Sequence, residues 1–474
     1  MTLSRQDYQH ILRHDLMAFI ERSFYELNPQ AALVGGGHVE VMAAKLDACC
    51  MGKIKRLIIN VPPRHLKSHC ASIAFPAWYL GHNPAGHVIC ASYGQDLADK
   101  LARDCRTLMS SAWYRRLFPT RLAERRALHD FATIQQGTRM ATSVGGVLTG
   151  RGADLIVIDD ALKPDDALSE SQRTSVNRWY DNTLLSRLNN KETGCIIIVM
   201  QRLHQDDLVG HVLEQEPWEV VSFPAIAEEG EIHHIESPLG ARSFRRRAGD
   251  VLHPERESRA TLAVIQQTIG EYNFASQYQQ NPTPLGGAMV KTAWLRFYSL
   301  DERPARFSRI IQSWDTANKA AELNDYSVAT TWGIDGKCFY LLDVYRRRLN
   351  YPDLKRAIEE QAQRHRASTI LIEDKASGTQ LIQDLSGRLW GITPYVPPPN
   401  TDKVMRLHAQ TAVFENGFVL LPRTADWLSD YVKEITSFPG SRYDDQVDST
   451  TQALDYLRSA ISSLEVWIRL ARDE

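Results

Sequence analysis

The 474-residue chain lacks a basic excess: 55 Lys and Arg stand against 57 Asp and Glu, a formal net charge of -2. A protein that grips nucleic acid permanently over a large surface usually carries a positive surplus. Any contact with DNA is therefore expected to be local and transient. Cysteine is sparse and odd in number, seven in all, and no two residues stand in CxxC spacing. That argues against a disulfide framework or a structural zinc site and for a reducing compartment. No apolar run approaches the roughly 18 residues of a membrane span, so no membrane contact is expected. Residues 1–22 mix His, Asp, Arg and Glu with apolar residues, as an amphipathic helix does and a signal peptide does not. Internal repeats and low-complexity tails are also missing. What is present is 43% hydrophobic and 24% charged residues, a composition of folded domains. The length suggests about two to four of them.

Short apolar runs alternate with helical patterns through residues 55–225. They include Leu57-Ile58-Ile59-Asn60-Val61, His87-Val88-Ile89-Cys90-Ala91, Leu155-Ile156-Val157-Ile158 and Cys195-Ile196-Ile197-Ile198-Val199-Met200. Continuous β-branched runs separated by helices predict a parallel sheet covered on both faces, an α/β architecture. A stretch rich in Pro and Gly, from about Asn281 to Phe307, reads as a connection between domains. Beyond it, strands are predicted at 309–315, 326–334 and 337–345, with Asp335-Gly336 as the hairpin turn between the last two. A helix over 352–365, a strand over 369–373 and a final helix from about Tyr443 follow. Antiparallel strands leading into alternating helices and strands is the order of a ribonuclease H-like fold.

Two sets of residues carry candidate chemistry. The first begins after the strand 57–61, where Val61-Pro62-Pro63-Arg64-His65-Leu66-Lys67-Ser68 leads into a helix. A strand, a short loop and a Lys-Ser pair opening a helix make the layout of a phosphate-binding loop. In it Lys67 neutralises the β- and γ-phosphates of ATP and Ser68 ligates magnesium. Both glycines of the GxxxxGK[ST] pattern are missing, with Val61 and Leu66 in their places. Read alone, the pair also fits an ordinary helix start. Asp159-Asp160, at the end of an apolar strand, suit a magnesium-bound water shell and an attacking water respectively, or simply cap the next helix. The second set comprises Asp315 and Glu373, each ending a strand, and Asp444, Asp445 and Asp448 near the final helix. Hydrolysis of a phosphodiester by two metals needs such converging carboxylates, and oxygen ligands suit magnesium or manganese. Helical spacing leaves Asp445 and Asp448 inseparable.

Several segments resemble the large subunit of tailed-phage terminases. Pro62-Pro63-Arg64-His65-Leu66-Lys67-Ser68 is similar to the family's PPRxGKS. Thr149-Gly150-Arg151-Gly152-Ala153-Asp154 with Asp159-Asp160 resembles TGRGAD…IDD. Gln201-Arg202-Leu203-His204-Gln205-Asp206-Asp207-Leu208 resembles RWHxxDL, and Ser313-Trp314-Asp315-Thr316-Ala317, Glu373-Asp374-Lys375 and Asp444-Asp445-Gln446-Val447-Asp448 resemble its nuclease motifs. The resemblance implies a P-loop NTPase-like parallel-sheet domain over 1–285, a linker over 286–307 and a ribonuclease H-like nuclease over 308–474. It implies that Lys67, Ser68 and Asp159 hold ATP and its magnesium, that Asp160 is the catalytic carboxylate, and that Gln201 and Arg202 sense the γ-phosphate. Arg64 is expected at the phosphates. Arg151 is expected either as an arginine finger reaching a neighbouring subunit or in a salt bridge of its own fold. Asp315, Glu373, Asp444 and Asp445 are expected as metal ligands, with Asp325 assisting a second ion and Lys375 and Arg346-Arg347-Arg348 near DNA phosphates. The implied activity is ATP-driven packaging of double-stranded DNA and its endonucleolytic cleavage. The implied partners are a portal protein, a small terminase subunit and further copies in a ring, in the cytoplasm of a bacterial host. A repair-type helicase-nuclease, or a degenerate prophage relic that only binds DNA, are the alternative readings. Leu66 in place of Gly predicts weak ATP turnover, because the position favours positive φ.

Overall fold

The computed structural model describes residues 4–124, 130–238, 240–282, 289–316, 326–375, 377–399, 401–441 and 443–470. The chain divides into two compact units, Met1–Pro284 and Leu285–Glu474.

The first unit is built on strands β1 (Arg56–Asn60), β2 (His87–Ser92), β3 (Asp130–Ala132), β4 (Thr138–Ser143), β5 (Leu155–Asp159), β6 (Cys195–Met200) and β7 (Glu219–Ser222). Their order across the sheet is β3-β4-β2-β5-β6-β1-β7. All neighbours run parallel except β3, which lies antiparallel on β4. The reason is legible in β5 and β6, where every residue is buried. Leu57, Ile59, Ile197 and Val199 enter one core, whereas Ile58, Ile156, Ile196 and Ile198 enter a second. Successive side chains point to opposite faces, so an unbroken aliphatic run is what a sheet covered on both sides requires. Truncating one of these, as in Ile197→Ala, costs about 2–5 kcal/mol.

The N-terminal segment differs from the single helix expected over residues 1–22. Two helices, Arg5–His14 and Leu16–Leu27, meet at Asp15. The Asp15 carboxylate accepts from the Ala18 N–H at 2.7 Å, so it caps the second helix instead of continuing the first. A hairpin of β8 (Glu231–Ser237) and β9 (Gly240–Arg246) and the helix Arg259–Gln277, kinked at Gly270, complete the unit.

The second unit carries β10 (Arg296–Tyr298), β11 (Arg309–Asp315), β12 (Ser327–Asp335), β13 (Cys338–Arg347), β14 (Thr369–Glu373), β15 (Ile392–Tyr395) and β16 (Val419–Pro422). The sheet order is β10-β16-β13-β12-β11-β14-β15. β11, β12 and β13 are antiparallel, and β14 lies parallel to β11. Gly336, at φ 57°, makes the tight turn between β12 and β13. Residues from Met289 onward, read from sequence as linker, belong to this unit: Val290 and Leu295 enter its core and β10 pairs with β16. Pro and Gly mark turns, but they do not report that the short apolar pieces between them are buried. The helix Asp445–Leu470 is stapled to the sheet by Ser449. Its hydroxyl donates to the Ser313 carbonyl at 2.7 Å and accepts from the Thr330 N–H at 3.0 Å.

Candidate active sites

In the first unit, β1, β5 and β6 end side by side, and their carboxyl ends deliver the loop 61–68, Asp159-Asp160 and Gln201 to one place. Topology explains this, because β6 pairs with both β1 and β5. The Lys67 ammonium lies 3.1 Å from an Asp160 carboxylate oxygen. The Ser68 hydroxyl donates to Asp159 Oδ1 at 3.0 Å, and Ser72 donates to Oδ2 at 2.6 Å. Burial, and then the Asp160 charge, push the Asp159 carboxyl above its usual range, against these hydrogen bonds and the Lys67 charge. The set is thus an acid pair with one lysine as counter-charge, which leaves one negative charge without a cation. Asp159, Asp160, Ser68 and Lys67 are oxygen donors and a phosphate-seeking ammonium, which fits a magnesium nucleotide.

These residues open on a cleft of about 820 Å³ whose lining includes Phe24, Arg64, Leu66, Lys67, Ser68, Tyr93, Asp160, Gln201 and Arg256. Gln201 is buried, and its side-chain Oε1 has no hydrogen-bond partner among the described residues. Arg64 and Leu66 both adopt φ of 65°. The missing glycine therefore does not change the loop's conformation: Leu66 takes the left-handed geometry itself, and its side chain packs on the core. That geometry costs a non-glycine residue about 1–2 kcal/mol.

Arg202, expected at the γ-phosphate, does not line the cleft, and Arg151, expected either to reach a neighbouring subunit or to pair within its own fold, stands in a salt bridge. Arg151 pairs with Asp130 at 2.6 Å and does not line the cleft. Arg202 bonds both oxygens of the buried Asp207 at 3.0 and 3.1 Å, which fixes the loop after β6. Long cationic side chains turn to the nearest uncompensated carboxylate, and local sequence does not reveal which one that is.

Sequence reading also missed a histidine cluster behind the loop. The rings of His38, His65 and His253 lie 5.4, 5.4 and 5.9 Å apart, all buried. Burial above all lowers His38 to about 3 and His65 to about 4, and also depresses His253. Neutral rings thus pack the phosphate loop against the helix Gly37–Cys50 and the turn at 253–257. The three positions are scattered in sequence, so no spacing rule could have found them.

In the second unit, Asp315 and Glu373 end the adjacent parallel strands β11 and β14, and Asp445 and Asp448 open the final helix. They sense one another. Burial first, then Asp448 and Asp445, drive the Asp315 carboxyl well above its usual range. Burial and Glu434 raise Asp445 to about 6. Among the described residues no three His, Cys, Asp or Glu side chains are grouped closely enough to hold a metal ion. Like charges in a low-dielectric cleft stand apart, and cations of the chain lie among them. The Lys403 ammonium bridges Asp444 at 2.8 Å and Asp448 at 2.7 Å, and Arg406 takes the other Asp448 oxygen at 2.9 Å. Asp448, inseparable from Asp445 by spacing, thus has both oxygens engaged by cations, whereas among the described residues the ion pair of Asp445 is with the Arg346 guanidinium at 3.8 Å. Arg346 lies between the rings of Tyr326 and Tyr443, 4.2 and 5.0 Å from their centroids. Lys375 is exposed on the turn after β14. Asp325 lies outside the described residues. Lys403 and Arg406 were not singled out from sequence, because a Lys and an Arg opening a short helix look like any solvated turn.

Comparisons with known proteins agree with this architecture. Residues 312–457 match the family model of the terminase RNaseH-like domain. The solved large terminase of a thermophilic bacteriophage superimposes with a TM-score of 0.50 at 12% identity, covering 90% of this chain and 99% of that one. The large terminase of bacteriophage HK97 gives 0.34 at 10% identity over 86% and 89% of the two chains. The zinc-bound large terminase nuclease of thermophilic phage G20c gives 0.27 at 17% identity, covering 34% of this chain and 94% of that one. No curated protein sequence matches the chain. With a terminase RNaseH-like domain behind a parallel-sheet unit, the chain has the fold of a phage terminase large subunit.

Proposed function

We propose that the chain is a DNA-packaging motor and nuclease: the first unit hydrolyses ATP to drive double-stranded DNA into a procapsid, and the second cuts concatemeric DNA. The observation that carries the motor half is the convergence of Lys67, Ser68, Asp160 and Gln201 on one cleft at the carboxyl ends of three neighbouring strands, with the buried Asp159 accepting a hydrogen bond from Ser68. Lys67 would hold the β- and γ-phosphates, Ser68 and Asp159 would hold magnesium, and Asp160 would orient the attacking water. Releasing Lys67 to phosphate frees Asp160 for that task. In the second unit Asp315, Glu373, Asp444 and Asp445, which are not grouped closely enough here to share an ion, would have to draw together to hold magnesium or manganese, which would supply an activated water and charge stabilisation at the leaving oxygen. Lys403 and Arg406 keep Asp448 in place and neutralise part of the acidic cleft that a DNA phosphate must enter. The proposed partners are a portal protein, a small terminase subunit and other copies of the chain in a ring, in the host cytoplasm.

Paired variants test the reading. Lys67→Ala should remove ATPase activity and leave manganese-dependent plasmid cleavage. Asp315→Ala should do the reverse. Cleavage that survives in Asp315→Ala removes Asp315 from the site, and ATPase activity that survives in Lys67→Ala removes the phosphate loop.

A further inference from the structure

We propose that Arg256 is an in-chain contact of the γ-phosphate, so that the cleft distinguishes nucleoside triphosphate from diphosphate through the turn 253–257. The proposal rests on the nucleotide reading of the cleft. Of the arginines near the site, Arg151 and Arg202 are committed to Asp130 and Asp207. Arg64 and Arg256 line the cleft. Arg64 belongs to the loop that carries Lys67, whereas Arg256 arrives from a distant part of the chain. Its guanidinium is exposed, and among the described residues no hydrogen bond or ion pair holds it.

The turn that presents it is well anchored. The His253 carbonyl accepts from the N–H groups of Arg256 at 3.1 Å and Glu257 at 2.9 Å. The buried His253 ring packs on His65 of the phosphate loop and on His38. A cation on an anchored turn, lining the cleft and held by no ion pair among the described residues, can form a charge-assisted bond to a phosphate oxygen without first breaking one. The same turn leads into the helix Arg259–Gln277, and just beyond that helix the Gln280 side-chain oxygen accepts from the Arg202 N–H at 2.9 Å. The helical segment, kinked at Gly270, thus links the turn that carries Arg256 to the loop bearing Gln201.

The test is binding of ADP and of ATP-gamma-S, each with magnesium, to the full chain and its Arg256→Ala, Arg256→Lys and Lys67→Ala variants. Arg256→Ala should lose roughly 10- to 100-fold in ATP-gamma-S affinity, the usual effect of one hydrogen bond to a charged group, and keep its ADP affinity. Arg256→Lys should fall between it and wild type. Unchanged ATP-gamma-S binding in Arg256→Ala, or an equal loss for both nucleotides, overturns the proposal. Nucleotide binding by Lys67→Ala as tight as wild type overturns the nucleotide reading itself, and this proposal with it.

Discussion

Lowering the pH from 7 to 5 tests the histidine cluster behind the phosphate loop. His38 and His65 titrate near 6.5 when unfolded, and near 3 and 4 in the fold, chiefly because burial disfavours the charged ring. The folded state therefore binds fewer protons than the unfolded one across this window. Stability contributed by the neutral rings is complete above about pH 6.5 and is lost as pH falls toward the folded values. At pH 5 the unfolded ring is almost fully charged and the folded ring is not, which is worth about 2 kcal/mol for each histidine. Against a typical total of about 5–15 kcal/mol this is large. Carboxyls act with the opposite sign: Asp47 and Asp445, raised to about 6, gain stability for the fold as pH falls below 6. The wild-type curve mixes both, so the decisive quantity is a difference between proteins. His38→Phe replaces a wholly buried ring by one of similar shape that cannot charge. The variant should be within about 1.5 kcal/mol of wild type at pH 7. It should then lose about 2 kcal/mol less on going to pH 5. Urea unfolding followed by pulsed hydrogen exchange, read on peptides from β1 and β6, isolates the first unit. Parallel pH dependences for the two proteins would refute the reasoning, because His38 would then be free to charge within the fold.

The remaining predictions concern single side chains at the two sites. Leu66→Gly should change ATP affinity by less than about tenfold, since the strain of about 1–2 kcal/mol is already borne by the folded loop. A larger gain in an ATP-binding titration would mean that the leucine holds the loop away from its binding conformation. Lys67→Met should lower the stability of the first unit by roughly 3–5 kcal/mol, because it strands the Asp160 carboxylate beside the buried Asp159. Chemical denaturation measures this, and a loss under about 1 kcal/mol contradicts it. Arg151→Ala removes a half-exposed ion pair with Asp130 and should cost at most about 1 kcal/mol in a thermal melt. A fall in ATPase activity seen only when subunits assemble on a portal would assign Arg151 to a neighbouring subunit's nucleotide, whereas equal activity in both states assigns it to its own fold. Lys403→Met should raise the Mn2+ concentration needed for half-maximal binding if Lys403 organises Asp444 and Asp448, and lower it if the ammonium competes with the ion. Calorimetric titration of the full chain that shows no change excludes either coupling.

Much of the fold was legible because it is written locally. Aliphatic runs of strand length, the Asp335-Gly336 turn and the switch from a parallel to an antiparallel rhythm are properties of neighbouring residues. A parallel sheet also places the carboxyl ends of its strands on one edge, so the sequence alone pairs Asp159 and Gln201 with the loop 61–68. Asp315 and Glu373 were legible for the same reason. Other features depended on distance through space. Only the folded chain shows that Leu66 itself adopts the left-handed geometry, because the backbone is held there by packing that the loop's own sequence does not contain. Arg151 finds Asp130 and Arg202 finds Asp207. Asp448 collects Lys403 and Arg406, while Arg256 lines the cleft with no ion pair among the described residues. Charges act through space over several ångströms and independently of chain order. Sequence by itself therefore determined which segments become strands and which carboxylates end them, and tertiary packing alone decided which cation each carboxylate keeps.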